Sequence, residues 1–329
     1  MEKAFDVVAL GELLIDMTDN GTTQSGNTLF EANPGGAPCN VLAILRKMGR
    51  RVGFIGKVGD DIFGHGLRQV LMEVGIDTEN LIIDSKARTT LAFVQTFADG
   101  DRDFSFYRNP GADMMLRKED IPVSILQNTR IFHFGTISMT HKEVREATRY
   151  AVEKAKSAGA LISFDPNIRE PLWDSMDEAR EQVLWGLSKC DVLKISDNEI
   201  QWLTGKRDFS EGVQAIRKTY HIPLILVSMG KAGSRAYYKE PDSGDEGLMV
   251  EAGSFILEET IETTGAGDTF DGCILHSILD KDLYHLQKQD LTEMLQFANA
   301  AAAIITTRKG ALRVMPDMEE IVHLIKGGI

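Results

Sequence analysis

Between Glu262 and Phe270 the chain reads Glu-Thr-Thr-Gly-Ala-Gly-Asp-Thr-Phe, which sets the carboxylate of Asp268 directly behind three small residues. After Gly265 the pattern changes from turn residues to an apolar-periodic run through Phe270, Cys273, Ile274 and Ile278, so Asp268 is expected in or just before the first turn of a helix. A helix start offers backbone N–H groups without partners and partial positive charge. Gly265, Ala266 and Gly267 could therefore cradle a phosphate with little side chain in the way. Asp268 would then stand beside a transferring phosphoryl group as a general base. The same residues also make an ordinary turn and helix cap, and this stretch alone does not decide between the two. The dinucleotide fingerprint fails because Phe270 stands where its third glycine belongs. The Walker loop fails because Gly56-Lys57 is followed by Val58.

With a second stretch, Gly35-Gly36-Ala37-Pro38-Cys39-Asn40 leading into Val41 to Gly49, the chain resembles the ribokinase-like (PfkB) carbohydrate kinases. Two separated signatures stand in that family's order, and the similarity runs from Asp6 to about Pro316. Phe164-Asp165-Pro166-Asn167-Ile168-Arg169-Glu170-Pro171-Leu172-Trp173 and Lys194-Ile195-Ser196-Asp197-Asn198-Glu199 look most like its fructokinase branch. The resemblance implies a three-layer α/β/α core with a mostly parallel central sheet and a small β-sheet lid over a sugar. It also implies transfer of the ATP γ-phosphate to a primary sugar hydroxyl, with Mg²⁺ as the companion ion.

The elements that must position these residues follow from apolar periodicity. Strand-like runs at Val7 to Leu10, Val52 to Val58, Ile131 to Phe134, Leu161 to Phe164, Val192 to Ile195 and Leu224 to Val227 alternate with helical patterns. Those patterns cover Pro38 to Met48, Phe63 to Val74, Glu143 to Ala158, Asp268 to Leu279 and Leu291 to Ile305. Such alternation means a parallel sheet covered by helices. Thr90 to Arg108 breaks the pattern and reads as a hairpin around Asp99-Gly100, with Leu91, Phe93, Phe97, Phe104 and Phe106 at near-alternate positions and a polar opposite face. Two strands alone are marginal, so further strands from Asp16 to Asn33 should join them. A plain sheet extension fits this ribbon as well; the resemblance implies a lid of residues 16–33 and 90–113 over a core of 1–15, 34–89 and 114–329.

On the same basis the resemblance assigns roles. Asp16, at the carboxyl end of the first strand, accepts sugar hydroxyls; Gly35, Gly36 and Asn40 contact the sugar; Arg108 reaches its pocket, with Phe93 and Phe106 as an apolar wall. Asn167, Lys194, Ser228, Gly230, Gly233 and Asn299 belong to the nucleotide side, and Arg169 stabilises the γ-phosphate. Glu199 orders water around Mg²⁺ in a Lys-x-Asn-x-x-Glu pattern whose Asn is Ser196 here. Glu262 replaces the Asp that, with Thr264 nearby, helps hold a monovalent cation, so weak or absent K⁺ stimulation is expected. Near a helix N-terminus Asp268 should be stabilised as the anion, a weak base that suffices for a loose transition state.

Composition narrows the function further. In 329 residues with 43% hydrophobic content there is ample material for a large core. A formal charge of −13 argues against a nucleic-acid or anionic-membrane surface. Cys39, Cys190 and Cys273 are widely spaced and carry no Cys-x-x-Cys pair, which suits a reducing compartment. Met1 to Asp16 lacks the layout of a signal peptide and no run is long enough to span a membrane, so a cytoplasmic protein is expected. Fructose is the leading substrate, with 2-keto-3-deoxygluconate or another small sugar as the alternative and a non-catalytic sugar sensor as the rival from another class. Exposed lid edges favour a homodimer through the lid.

Overall fold

The computed structural model describes residues 3–96, 102–240, 247–257 and 260–327. Asp99-Gly100 and Phe97 lie outside the described residues. In chain order the strands are β1 (Phe5–Leu10), β2 (Leu14–Thr22), β3 (Thr28–Gly35), β4 (Val52–Gly59), β5 (Leu81–Asp84), β6 (Leu91–Thr96), β7 (Arg102–Tyr107), β8 (Thr129–Gly135), β9 (Leu161–Asp165), β10 (Val192–Ser196), β11 (Leu224–Ser228), β12 (Ser234–Tyr238) and β13 (Leu248–Ala252). The helices are α1 (Ala37–Lys47), α2 (Ile62–Val74), α3 (Val123–Gln127), α4 (Lys142–Ser157), α5 (Met176–Leu187), α6 (Asp197–Thr204), α7 (Phe209–Arg217), α8 (Ala266–Leu279), α9 (Lys288–Ile305) and α10 (Met318–Ile325).

Nine strands form one sheet among the described residues, in the order β13-β12-β11-β10-β9-β8-β1-β4-β5. From β11 to β5 every pairing is parallel, while β12 and β13 join antiparallel at the edge. A central parallel strand is covered on both faces, which explains the unbroken apolar run of β1. Val7 and Ala9 enter the core beneath α1, α8 and α9, whereas Val8 and Leu10 enter the one beneath α4 and α5. The sandwich is thus helix, sheet, helix.

A separate four-stranded sheet has the order β3-β2-β6-β7. Its Leu14, Asp16, Thr18, Val94 and Phe106 all line one cleft against the main sheet. The register explains the selection, because Asp16 and Thr18 pair with Ala92 and Val94, and Ala92 pairs with Phe106. Phe93 pairs with Ser105 and points the other way. It packs on Phe30 and Tyr107 at 5.1 Å between ring centres in each case. The expected polar opposite face is therefore aromatic, and Phe93 and Phe106 occupy opposite sides of the sheet instead of one wall.

Candidate active site

Helix α8 begins at Ala266, two residues before the expected start at Asp268. Gly265 is its N-cap in the left-handed region at φ 77°, and Asp268 falls in the first turn. The Ala266 N–H turns back to the Thr263 carbonyl at 3.3 Å, so this amide is engaged within the turn. A side-chain carbon on Gly267 would stand 3.2 Å from Lys194 Nζ. The glycine lets that ammonium come up against the helix start.

The cleft has a volume of about 260 Å³. Asp16, Thr18 and Phe106 of the small sheet face Gly36 and Asn40 of the α1 start, Gly265, Gly267 and Asp268 of the α8 start, and Asn167, Arg169 and Lys194 from the loop after β9 and from β10. Open α/β sheets bind ligands at the carboxyl ends of their strands. Asn40 Nδ2 donates to Asp268 Oδ2 at 2.8 Å, tying the two signature stretches together across 228 residues of sequence. Asn40 Oδ1 is buried without a partner.

Burial reverses the expected direction of the Asp268 shift. Enclosure raises its pKa above the usual carboxylate value, although Asn40, Lys194 and Arg169 each pull it down. The helix N-terminus does not outweigh the loss of water. Burial also works against charge on Lys194, yet Asp165, Glu199 and Asp268 around it raise its pKa. Lys194 Nζ meets Asp165 Oδ2 at 2.8 Å. Behind them lies Asp271, fully buried with both oxygens unpartnered and 3.6 Å from His133 Nδ1. Burial pushes the Asp271 carboxyl well up and lowers His133 to about 3, which leaves the imidazole neutral.

Several of the expected site residues lie outside this cleft and bond within the protein. Arg108 is absent from the cleft lining and buried, donating to Asp113 Oδ2 at 2.8 Å, Thr140 Oγ1 at 2.7 Å and the Ile137 carbonyl at 3.1 Å. Asn299 receives Ser234 Oγ at 2.9 Å and donates to the Ala252 and Gly253 carbonyls at 3.1 Å, pinning α9 to the sheet edge. Ser228, Gly230 and Gly233 form the β11–β12 turn outside the cleft. Glu199 makes a capping box with Ser196 and takes the Ile168 N–H at 2.8 Å, so it braces the loop that carries Arg169. Glu262 receives Thr264 Oγ1 at 2.5 Å and the Gly310 N–H at 3.1 Å, leaving neither oxygen without a donor.

Reading the sequence did not single out Glu12, which lines the cleft and is buried to 3% exposure. Its signal was legible as a lone charge inside the apolar run from Val7 to Ile15. Asp271 and His133 gave no comparable signal, since their meeting depends on how α8 lies over β8.

Against known proteins, the sequence model described as pfkB family carbohydrate kinase matches residues 4–318. The chain belongs to the pfkB carbohydrate kinase family. It is 40% identical over 322 residues to probable fructokinase-2 of Arabidopsis thaliana, covering 97% of this chain and 95% of that one. Among solved structures, the fructokinase of Xylella fastidiosa with bound ATP superposes at a TM-score of 0.87 with 31% identity, covering 98% of each chain. A double mutant of the Vibrio cholerae O395 fructokinase, with fructose, ADP and potassium ion bound, gives 0.86 and 30%, covering 99% of this chain and 100% of that one. Like other members of the family, the chain is a phosphotransferase acting on a sugar hydroxyl, built on the ribokinase-like fold.

Proposed function

We propose that this family member is an ATP-dependent fructokinase that transfers the γ-phosphate to a primary hydroxyl of D-fructose. The observation that carries the reading is the Asn40–Asp268 hydrogen bond at 2.8 Å, which fixes a carboxylate at the mouth of α8 inside the lid cleft. Fructose bound between Asp16 and Gly36 would present its hydroxyl to Asp268, and Asp268 takes the proton as the oxygen attacks in line. Little bond-making precedes departure of the leaving group, so positioning and charge stabilisation dominate the barrier. Arg169, Lys194 and the Gly267 end of α8 meet the phosphate charge.

Among the described residues no cluster of three potential metal ligands is present. Mg²⁺ would arrive on the nucleotide and keep several of its waters, with Glu199 to order them. Bound there, the ion neutralises phosphate charge. Each Glu262 oxygen already accepts a donor, from Thr264 or from Gly310, and these bonds compete with K⁺ coordination. A sugar acid would need a cation on the sugar side of the cleft; Arg108 is spent on Asp113, while Arg169 and Lys194 serve the phosphate. Fructose is preferred over 2-keto-3-deoxygluconate for that reason. Among the described residues no helix is long and apolar enough to cross a membrane.

Coupled ADP release over fructose, ribose, 2-keto-3-deoxygluconate and adenosine tests the reading. Fructose should give the highest kcat/KM, Asp268→Asn should lose about 10²-fold or more in kcat, and replacing K⁺ by a large organic cation should change the rate little. Tight fructose binding without ADP release would favour the sensor instead.

A further inference from the structure

The turn that delivers Asn40 to the base is anchored by a residue with no role so far. Gly36 sits at φ 131°, and a side-chain carbon there would come within 2.4 Å of the Glu12 carbonyl oxygen. The backbone of the first strand's end and the backbone of the turn are thus in direct contact, with no room for adjustment between them. Helix α1 has no side-chain cap of its own at Gly36. Its first N–H, from Ala37, is instead received by Glu12 Oε1 at 2.9 Å, across 25 residues of sequence. One turn on, the Asn40 N–H returns to the Gly36 carbonyl at 3.0 Å and the Asn40 side chain reaches Asp268. A continuous path of hydrogen bonds therefore runs from Glu12 through the turn to the base.

Resting on the fructokinase reading, we propose that Glu12 is a positioning residue for the sugar: its ionised carboxylate grips the Gly36–Ala37 turn, and the grip slackens when Glu12 takes up a proton. An ionised acceptor at a helix start makes a stronger bond than a neutral one, because the charge assists the hydrogen bond and the helix N-terminus favours an anion. Gly36 and Asn40 both line the cleft beside Glu12, so a looser turn weakens the sugar's seat. The nucleotide side is carried by other elements, the loop after β9 and β10.

The change falls in the working range of pH. Burial lifts Glu12 to about 7, against hydrogen bonds from its own N–H and from Ala37; Asp113 raises it further and Arg108 lowers it. Asp113 and Arg108 are themselves paired, and the Cys39 thiol on α1 is pushed well up by burial and by Glu12. His133 and Asp165 meet Glu12 across a cavity of about 10 Å³. His133 is neutral, and Asp165 is tied to Lys194. Burial raises Asp165 as well, so the variant Glu12→Gln is needed to separate the two carboxyls.

Calorimetric fructose affinity, measured on the full chain from about pH 6 to about pH 8, is the test. Wild type should tighten about fivefold as pH rises through about 7, while Glu12→Gln stays at the weaker, low-pH affinity throughout. The KM for ATP should be unchanged in both. A thermal-melt series checks that Glu12 is the titrating group. A carboxyl whose folded pKa lies above its unfolded value loses stability as pH climbs, so wild type should fall relative to Glu12→Gln through about pH 7. A fructose affinity that is flat in wild type, or that keeps its step in Glu12→Gln, overturns the proposal even if the melts behave as stated. Absence of any fructose heat counts against the fructokinase reading, and the same profile is then judged with whichever sugar releases ADP.

Discussion

Asp268 carries opposing influences that only the folded chain can rank. A helix N-terminus and two nearby cations favour its anion; complete enclosure disfavours it and wins, so the carboxyl titrates above its ordinary range. A base with a raised pKa is a better proton acceptor, which suits the proposed role. Asn40 moderates the effect by donating to the anion. In Asn40→Ala that donation is lost, and the acid limb of the kcat/KM profile should move to higher pH, because the carboxylate is protonated more readily. A hydrogen bond to a charged group is worth about 1.5–3 kcal/mol, so kcat at neutral pH should fall about tenfold or more. Steady-state rates across pH check both. The sequence displayed Gly35-Gly36…Asn40 and Gly265-Ala266-Gly267-Asp268 as separate phrases, and residue types sufficed to suspect each. It could not display their meeting, nor the dryness of the place where they meet. Burial is a property of what packs around a residue, which is why the direction of the Asp268 shift was misjudged and Glu12 overlooked.

At the level of elements, the parallel strands were legible because a strand buried on both faces is largely apolar, and β1, β4 and β8 to β11 each carry a buried apolar run. The antiparallel strands β12 and β13 were not, since Ser234, Arg235 and Glu251 interrupt their apolar pattern. Arg108 shows the same limit at the end of β7. A cation beside a pocket looks like a ligand contact, yet here it straps the lid's last strand to the segment after β8 through Asp113, Thr140 and Ile137. Removing one partner of a buried pair strands the other charge, at a cost of about 3–5 kcal/mol. Arg108→Met should therefore lower the denaturation midpoint markedly, and the double change Arg108→Met with Asp113→Leu should recover much of it. Chemical denaturation of the three proteins provides the comparison. A loss confined to sugar affinity, with stability intact, would restore the pocket role.

Over the whole molecule, the lid presents its aromatic side outward. Phe30 is 44% exposed and Tyr107 67%, with Phe93 wedged between them. Exposed aromatics on a short sheet with free edges form a surface suited to a second copy, and two lids packed this way would bury it. The chain should accordingly run as a dimer by light scattering, and Phe30→Asp combined with Tyr107→Asp should shift it toward the monomer while leaving the melting behaviour of the core unchanged.

The three thiols carry a further consequence. Cys39 and Cys273 lie in the packing layer between the sheet and α1, α8 and α9, while Cys190 lies in the opposite layer, and all three are buried. A bulky alkylating reagent can reach any of them only after the layer around it has opened. The order in which mass spectrometry finds them modified would thus record which side of the sandwich gives way first, with no label added to the protein.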